Sequence, residues 1–224
     1  CSWHVADVDV IRNAINDVIS DGIVVVASSS NRGINSVYFP ASMTNVIGVG
    51  AITKNGTRYQ YSNYGDSLNV VAPGQNIHTT DLNSTYNDSF EQTSSATPHV
   101  SAIAALMRSV NSNLSPTQVK NIIEQTAQKV GGYNYVEQND GIHNNGTWHI
   151  EMGYGLVDAH AAVMEAYFYD REILGNDIIN PCNTTYPCNG IITYNLNSSS
   201  MPSNTTLQWS VSGNLALVSS NNQS

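Results

Sequence analysis

Two stretches of the sequence hold residue types that could carry out acyl transfer. Val24–Gly33 reads VVVASSSNRG, an apolar β-branched run that ends in a polar turn containing Asn31. Glu91–Met107 reads EQTSSATPHVSAIAALM, a polar turn running into an apolar helical pattern with Ser94 at its start. A serine at a helix N-terminus sits among backbone N–H groups without intrahelical partners, where the helix dipole favours negative charge. Those groups can stabilise an oxyanion. An Asn at the end of a neighbouring buried strand adds a side-chain N–H donor to the same task. On composition alone a plainer assignment competes: Ser94 as an N-cap and Asn31 as a turn residue.

Elements must hold these two residues in place. Asp9 to Ser20 reads as a helix, with Val10, Ala14, Val18 and Ile11, Ile15, Ile19 at helical spacing and Gly22 suited to its C-terminal end. GIVVVA, Val46–Ala51 and Leu68–Ala72 are unbroken apolar runs, as expected of parallel strands buried on both faces. Ser94–Val110 reads as a helix. Ser115–Gln118 opens another, with Ser as cap, Pro at the first helical position and Gln three residues after the cap. Buried strands alternating with helices predict an α/β domain with a parallel sheet. After about Tyr169 the pattern changes to short strands, IITYNL, LQWSVS and LALVS, separated by Asn, Ser, Pro and Gly. That composition predicts an all-β sandwich. The division is placed at 1–170 and 171–224.

The charge balance excludes some partners. Eight basic residues against 17 acidic ones give −9, and the basic residues are scattered singly. A nucleic-acid face needs clustered Lys and Arg. No apolar run reaches the roughly 18 residues that span a bilayer. Cys182 and Cys188 lie close together in NPCNTTYPCNG, either as a loop-closing disulfide or as two unpaired thiols, and Cys1 is expected to be a small buried hydrophobe. Asn-X-Ser/Thr occurs nine times, for example at Asn55, Asn83, Asn87, Asn145, Asn183 and Asn204. A glycoprotein, or a bacterial surface protein rich in Asn, Ser and Thr, would give this pattern. Both place the protein outside the cytoplasm, secreted or at a cell surface, and the bacterial reading is preferred.

The two stretches also resemble a family, the subtilisin-like serine proteases (subtilases). Its nucleophile motif reads Gly-Thr-Ser-Met-Ala-x-Pro-His-Val-x-Gly, and this chain reads Gln92-Thr93-Ser94-Ser95-Ala96-Thr97-Pro98-His99-Val100-Ser101-Ala102. Val25–Gly33 resembles the family's oxyanion-hole segment, Val-Val-Ala-Ala-Gly-Asn-x-Gly, with one residue of slack. Further matches follow in family order: Tyr38–Ala41 with Val46–Ala51, Ser62-Asn63-Tyr64-Gly65, Val71-Ala72-Pro73-Gly74 and Gly153–Ala159. The resemblance covers roughly Cys1 to Tyr167 and implies a subtilisin-like parallel sheet flanked by helices, in incomplete form. The tail resembles the immunoglobulin-like modules appended to bacterial subtilases, of which only the start is present.

By resemblance, Ser94 is the nucleophile, and Asn31 and the Ser94 backbone N–H are the oxyanion donors. Ser2, Trp3, His4, Ser28, Ser29, Ser30, Gln92 and Thr93 fall in the segments that border the substrate. The family's Asp-[Ser/Thr]-Gly and His-Gly-Thr patterns are absent, and His4, His78 and His99 fall at the wrong places to replace the base. The chain is therefore expected to be the C-terminal part of a subtilase domain, inactive without the N-terminal part. Its substrate is a polypeptide. No cofactor is implied; structural calcium is compatible with the family, but Asp66 and Asp81 are too isolated to nominate as ligands. His4, Ser30 and Gln92 replace family glycines along the cleft, and Gln92 is expected to obstruct the specificity pocket. These losses support a rival reading: a degenerate pseudo-protease that serves as a binding or structural module.

Overall fold

The computed structural model describes residues 1–138 and 140–169, all within the unit Cys1–Tyr169. The sandwich, the boundary at 170 and the Cys182–Cys188 pairing expected from the sequence lie outside the described residues.

The apolar β-branched runs form β1 (Val26–Ser28), β2 (Ile47–Ile52) and β3 (Val70–Pro73), a parallel sheet in chain order. The register pairs Ala27 with Gly48, and Gly50 with Val71. Successive side chains go to opposite faces. Val26, Val49, Ala51, Val70 and Ala72 join one core cluster, whereas Ala27 joins a second, and Ile52 and Val71 a third. Hence the strands are apolar at every position but Ser28: neither face is left to water. The outer edge of β3 is covered by the chain near Gly155, which accepts from Val71 N–H at 2.9 Å. Gly155 has φ +125°, and a Cβ there would stand 2.2 Å from the Gln128 carbonyl oxygen, so only glycine fits.

One departure from the sequence expectation is the absence of helices between these strands. Residues 29–46 and 53–69 make the two crossovers as irregular chain with tight turns. Both are long enough for a parallel connection, which needs about a dozen residues but no helix as such. The helices precede and follow the sheet: α1 (Asp9–Ser20), α2 (Thr93–Val110), α3 (Pro116–Gln125) and α4 (Ala159–Phe168). In α1, only the row Ile11, Ile15 and Ile19 packs on the core, while Val10 is 75% exposed. In α2, Ala96, Val100, Ile103, Ala104 and Met107 face the sheet. α3 carries the complete capping box: Gln118 N–H donates to Ser115 Oγ at 3.2 Å, and Ser115 N–H donates to Gln118 Oε1 at 2.7 Å. An antiparallel hairpin, β4 (Ile77–Asp81) and β5 (Thr85–Phe90), links β3 to α2. Cys1 is exposed rather than buried: its carbonyl accepts from Ser28 N–H at 3.0 Å, which sets its backbone along β1 and leaves the thiol outside. Among the described residues no helix is long and apolar enough to cross a membrane.

A buried carboxylate ties α3 to the sheet. Glu124, 3% exposed, accepts from Asn69 Nδ2 at 2.7 Å and Asn145 Nδ2 at 2.5 Å, with Lys120 Nζ at 3.8 Å. Asn69 in turn accepts from Gly48 N–H of β2 at 2.6 Å. Burial raises Glu124 above the usual carboxylate range, against the opposing pull of Lys120 and of the two amides. Glu124→Ala leaves Asn69 Nδ2 without an acceptor in a buried site, while Asn145 Nδ2 keeps Asn121 Oδ1 and Lys120 Nζ keeps the Thr44 carbonyl, and about 1–3 kcal/mol of unfolding free energy is expected to be lost. A raised carboxylate binds its proton more tightly when folded. Its contribution is therefore greatest below the unfolded value and is lost as pH rises through the folded one. Urea titrations across that range should show the slope in the parent chain and not in Glu124→Gln.

Candidate active site

The turn into α2 is pinned to the sheet. Gly74 N–H donates to the Ile52 carbonyl at 3.0 Å, and Gln92 N–H donates to the Gly74 carbonyl at 2.8 Å. A Cβ on Gly74 would lie 2.5 Å from Ala51 Cβ and 2.8 Å from the Gln92 carbonyl oxygen, so a larger residue would push the start of α2 off the strand.

The first donors of α2 can be followed one by one. Thr93 N–H and Thr93 Oγ1 both donate to Asn31 Oδ1, at 2.9 and 2.8 Å. Ser95 and Ala96 N–H both reach the Gln92 carbonyl, at 3.2 and 3.3 Å. Ser94 N–H is left without an acceptor among the described residues. The carbonyls follow a complementary pattern. Pro98 has no N–H, so the Ser94 carbonyl four residues earlier lacks a helical donor. The Ser2 hydroxyl supplies one at 3.3 Å. Thr97 Oγ1 backs onto the Thr93 carbonyl at 2.7 Å, and His99 Nδ1 donates to the Ser95 carbonyl at 2.9 Å.

This arrangement orients the amide of Asn31. With Oδ1 held by two Thr93 donors, Nδ2 is turned away from them and is free to donate elsewhere. Thr93 thus ties Asn31 to the start of α2, so that Asn31 and Ser94 border one corner.

The loop carrying Asn31 is held from beneath by Asn63, which is fully buried. Its Oδ1 accepts from Arg32 and Ile34 N–H at 2.8 and 3.4 Å, and its Nδ2 donates to the Ser36 carbonyl at 2.8 Å. Its own N–H reaches the Ser30 carbonyl at 2.9 Å. The sequence marked Asn63 only as part of a motif. The available signal was a lone carboxamide between Ser62 and Gly65 in a stretch leading to a buried strand.

The remaining residues singled out in the sequence divide into two groups. Ser28, Ser29, Ser30 and Thr93 are buried; Ser29 Oγ donates to the Asn63 carbonyl at 2.9 Å. Ser2, Trp3, His4 and Gln92 are exposed. Ser94 Oγ has the Ser2 carbonyl as its partner, at 3.4 Å. The imidazoles are engaged elsewhere: His4 with Ser30, His78 with Asp88 across the hairpin, and His99 within α2. Among the described residues no three His, Cys, Asp or Glu side chains gather closely enough to hold a metal ion.

Two of the three residues that replace family glycines adopt glycine backbone. Ser30 has φ +87°, and Gln92 has φ +79° with ψ −173°. The second combination belongs to a region reached almost solely by glycine, where other residues store about 1–3 kcal/mol. Gln92→Gly is therefore expected to raise the unfolding free energy, by about 1 kcal/mol after the extra freedom of the unfolded chain is subtracted. His4 has no positive φ, and His4→Gly should bring no such gain. Chemical denaturation of the two variants against the parent checks the contrast.

Comparison with known proteins shows the family. A model of the subtilase family matches residues 2–155. The chain is 38% identical over 152 residues to M-protease of Shouchella clausii (strain KSM-K16), an alignment covering 68% of this chain and 36% of that protein. It is also 38% identical over 152 residues to Subtilisin BL of Lederbergia lenta, covering 50% of that protein. It superposes on the Prenylagaramide maturation protease PagA with a TM-score of 0.60 at 24% identity, over 73% of this chain and 58% of that one, a likeness of fold. The chain thus spans half or less of the length of these curated relatives. With a matching family model over most of its length and the family's motifs assembled around one corner, the chain belongs to the subtilase family.

Proposed function

We propose that this chain is part of a serine endopeptidase that cleaves polypeptides through an acyl-enzyme on Ser94. The observation that carries the reading is the clamp of Asn31 Oδ1 on Thr93, which leaves Asn31 Nδ2 and Ser94 N–H as unspent donors beside Ser94 Oγ. Ser94 Oγ attacks the substrate carbonyl carbon and loses its proton to a base. The carbonyl oxygen takes the negative charge between the two donors. The C–N bond breaks as the amine takes the proton, and water then releases the acyl group by the same steps. The base and the carboxylate that orients it come from the N-terminal part of the same domain, which is the partner this chain requires. By itself the chain is inactive.

The whole protein is read as secreted or cell-surface and bacterial. Its relatives come from bacteria, and Asn, Ser and Thr are abundant. Residues 1–170 are read as the end of the catalytic domain and 171–224 as the start of an immunoglobulin-like module, with Cys182 and Cys188 as its disulfide candidate. A second reading, a non-catalytic peptide-binding module, is favoured by the side chains at Ser30 and Gln92 in glycine conformations. An alkyl fluorophosphonate, which attaches only to an activated serine, separates the two. The protease reading expects stoichiometric labelling of Ser94 in the whole protein, located by mass spectrometry. Absence of labelling with peptide binding intact supports the second reading.

A further inference from the structure

An imidazole stands beside the corner formed by Asn31 and Ser94. Ser2 touches Ser94 through its hydroxyl at 3.3 Å and its carbonyl at 3.4 Å, so residues 2–4 run along the mouth of that corner. Two residues further, His4 Nδ1 lies 3.3 Å from Ser30 Oγ, and Ser30 immediately precedes Asn31. The hydroxyl is buried and the imidazole is exposed, so Ser30 sits under the ring and His4 faces outward. Tyr38 packs against the ring edge-on, with centroids 5.3 Å apart, and the Arg32 guanidinium lies 5.8 Å from the Tyr38 centroid. Glu91, three residues before Ser94, is occupied by the Tyr59 hydroxyl at 2.7 Å. His4, Ser30, Tyr38 and Arg32 are thus linked in one group of hydrogen-bond donors with a guanidinium behind them, while Glu91 keeps its negative charge under the bond from Tyr59.

We propose that His4, oriented by Ser30 and backed by Tyr38 and Arg32, selects an acidic side chain on the substrate residue whose carbonyl enters the corner. This rests on the reading of Ser94 and Asn31 as the reacting centre. A carbonyl held by Asn31 brings the side chain of its own residue beside Ser30 and His4. When the Ser30 hydroxyl donates to Nδ1, the ring hydrogen is on Nε2, which points outward as a donor for a carboxylate. Arg32 adds a favourable field. A large apolar side chain would instead cover the Nε2–H without accepting from it, and an unpaired donor is costly. Ser30 is a positioning residue: it fixes the tautomer and the tilt of the ring.

The test is calorimetric titration of the full chain with capped tetrapeptides differing only in the last residue: Glu, Gln or Phe. The Glu peptide is expected to bind about tenfold more tightly than the Phe peptide, the scale of one charge-assisted hydrogen bond. His4→Gly should abolish the preference, His4→Gln should keep part of it, and Ser30→Gly should weaken it while relieving a positive φ. All three variants alter residues outside the apolar core clusters, and an unfolding curve for each shows that a lost preference does not report unfolding. Tighter binding of the Phe peptide, a Glu preference unchanged in His4→Gly, or no binding of any peptide overturns the proposal. Fluorophosphonate labelling of Ser94 without a Glu preference removes this proposal and leaves the protease reading. A His4-dependent Glu preference without labelling leaves the recognition site and removes the protease.

Discussion

Ser94→Ala in the whole protein is expected to lower kcat by about 10⁶, the scale of loss when subtilisin's own nucleophile is removed. In the proposed mechanism the hydroxyl is the atom that forms a bond to substrate. Its removal leaves the two N–H donors and the cleft intact, so KM should change little. Stability should change little as well, because Ser94 Oγ makes one long contact, 3.4 Å to the Ser2 carbonyl. Turnover of a peptide ester by parent and variant, with unfolding curves alongside, checks both parts. A variant that retains turnover would mean that the activity lies in another residue.

Asn31→Leu in the same whole protein should lower kcat by about 10²–10³, as loss of one oxyanion-hole donor does in subtilisin. Leucine has the branching and the number of side-chain heavy atoms of asparagine but no N–H to offer to the developing charge. The charge appears only as the bond forms, so the loss falls on kcat and spares KM. A structural penalty accompanies it: Thr93 N–H and Thr93 Oγ1 lose their shared acceptor. Asn31→Asp separates the two effects. It keeps the acceptor for Thr93 and puts negative charge where the oxyanion forms, so it should fold like the parent and turn over no faster than the leucine variant. Equal kcat in parent and Asn31→Leu would place the oxyanion elsewhere.

How far the sequence foretold these elements depended on whether local pattern or distant contact decides them. α1 was legible to the residue because its apolar row and Gly22 bracket it, and α3 because Ser115, Pro116 and Gln118 form a complete start signal. The hairpin β4–β5 was not, since most of its residues are exposed on both faces and show no alternation. α4 escaped notice because its apolar residues surround the axis rather than forming one stripe. Ser94 and Asn31 stood out through their motifs. Their mutual geometry did not: the link between them runs through Thr93, 62 residues from Asn31. The support from Asn63 is likewise distant in sequence, 31 residues to Arg32 and 27 to Ser36. Ser28 and Ser29 look alike in sequence to cleft-lining residues, but they continue a strand that is buried on both faces.

The central proposal is that this chain holds the nucleophile and the oxyanion donors, with no base beside Ser94 among the described residues. Hydrolysis of an activated peptide ester by the purified 224-residue chain, beside its Ser94→Ala variant, tests it directly. The account predicts the same background rate for both, because the Ser94 hydroxyl contacts a carbonyl rather than an imidazole. Turnover above background that disappears in Ser94→Ala would contradict it and would require a base within these residues.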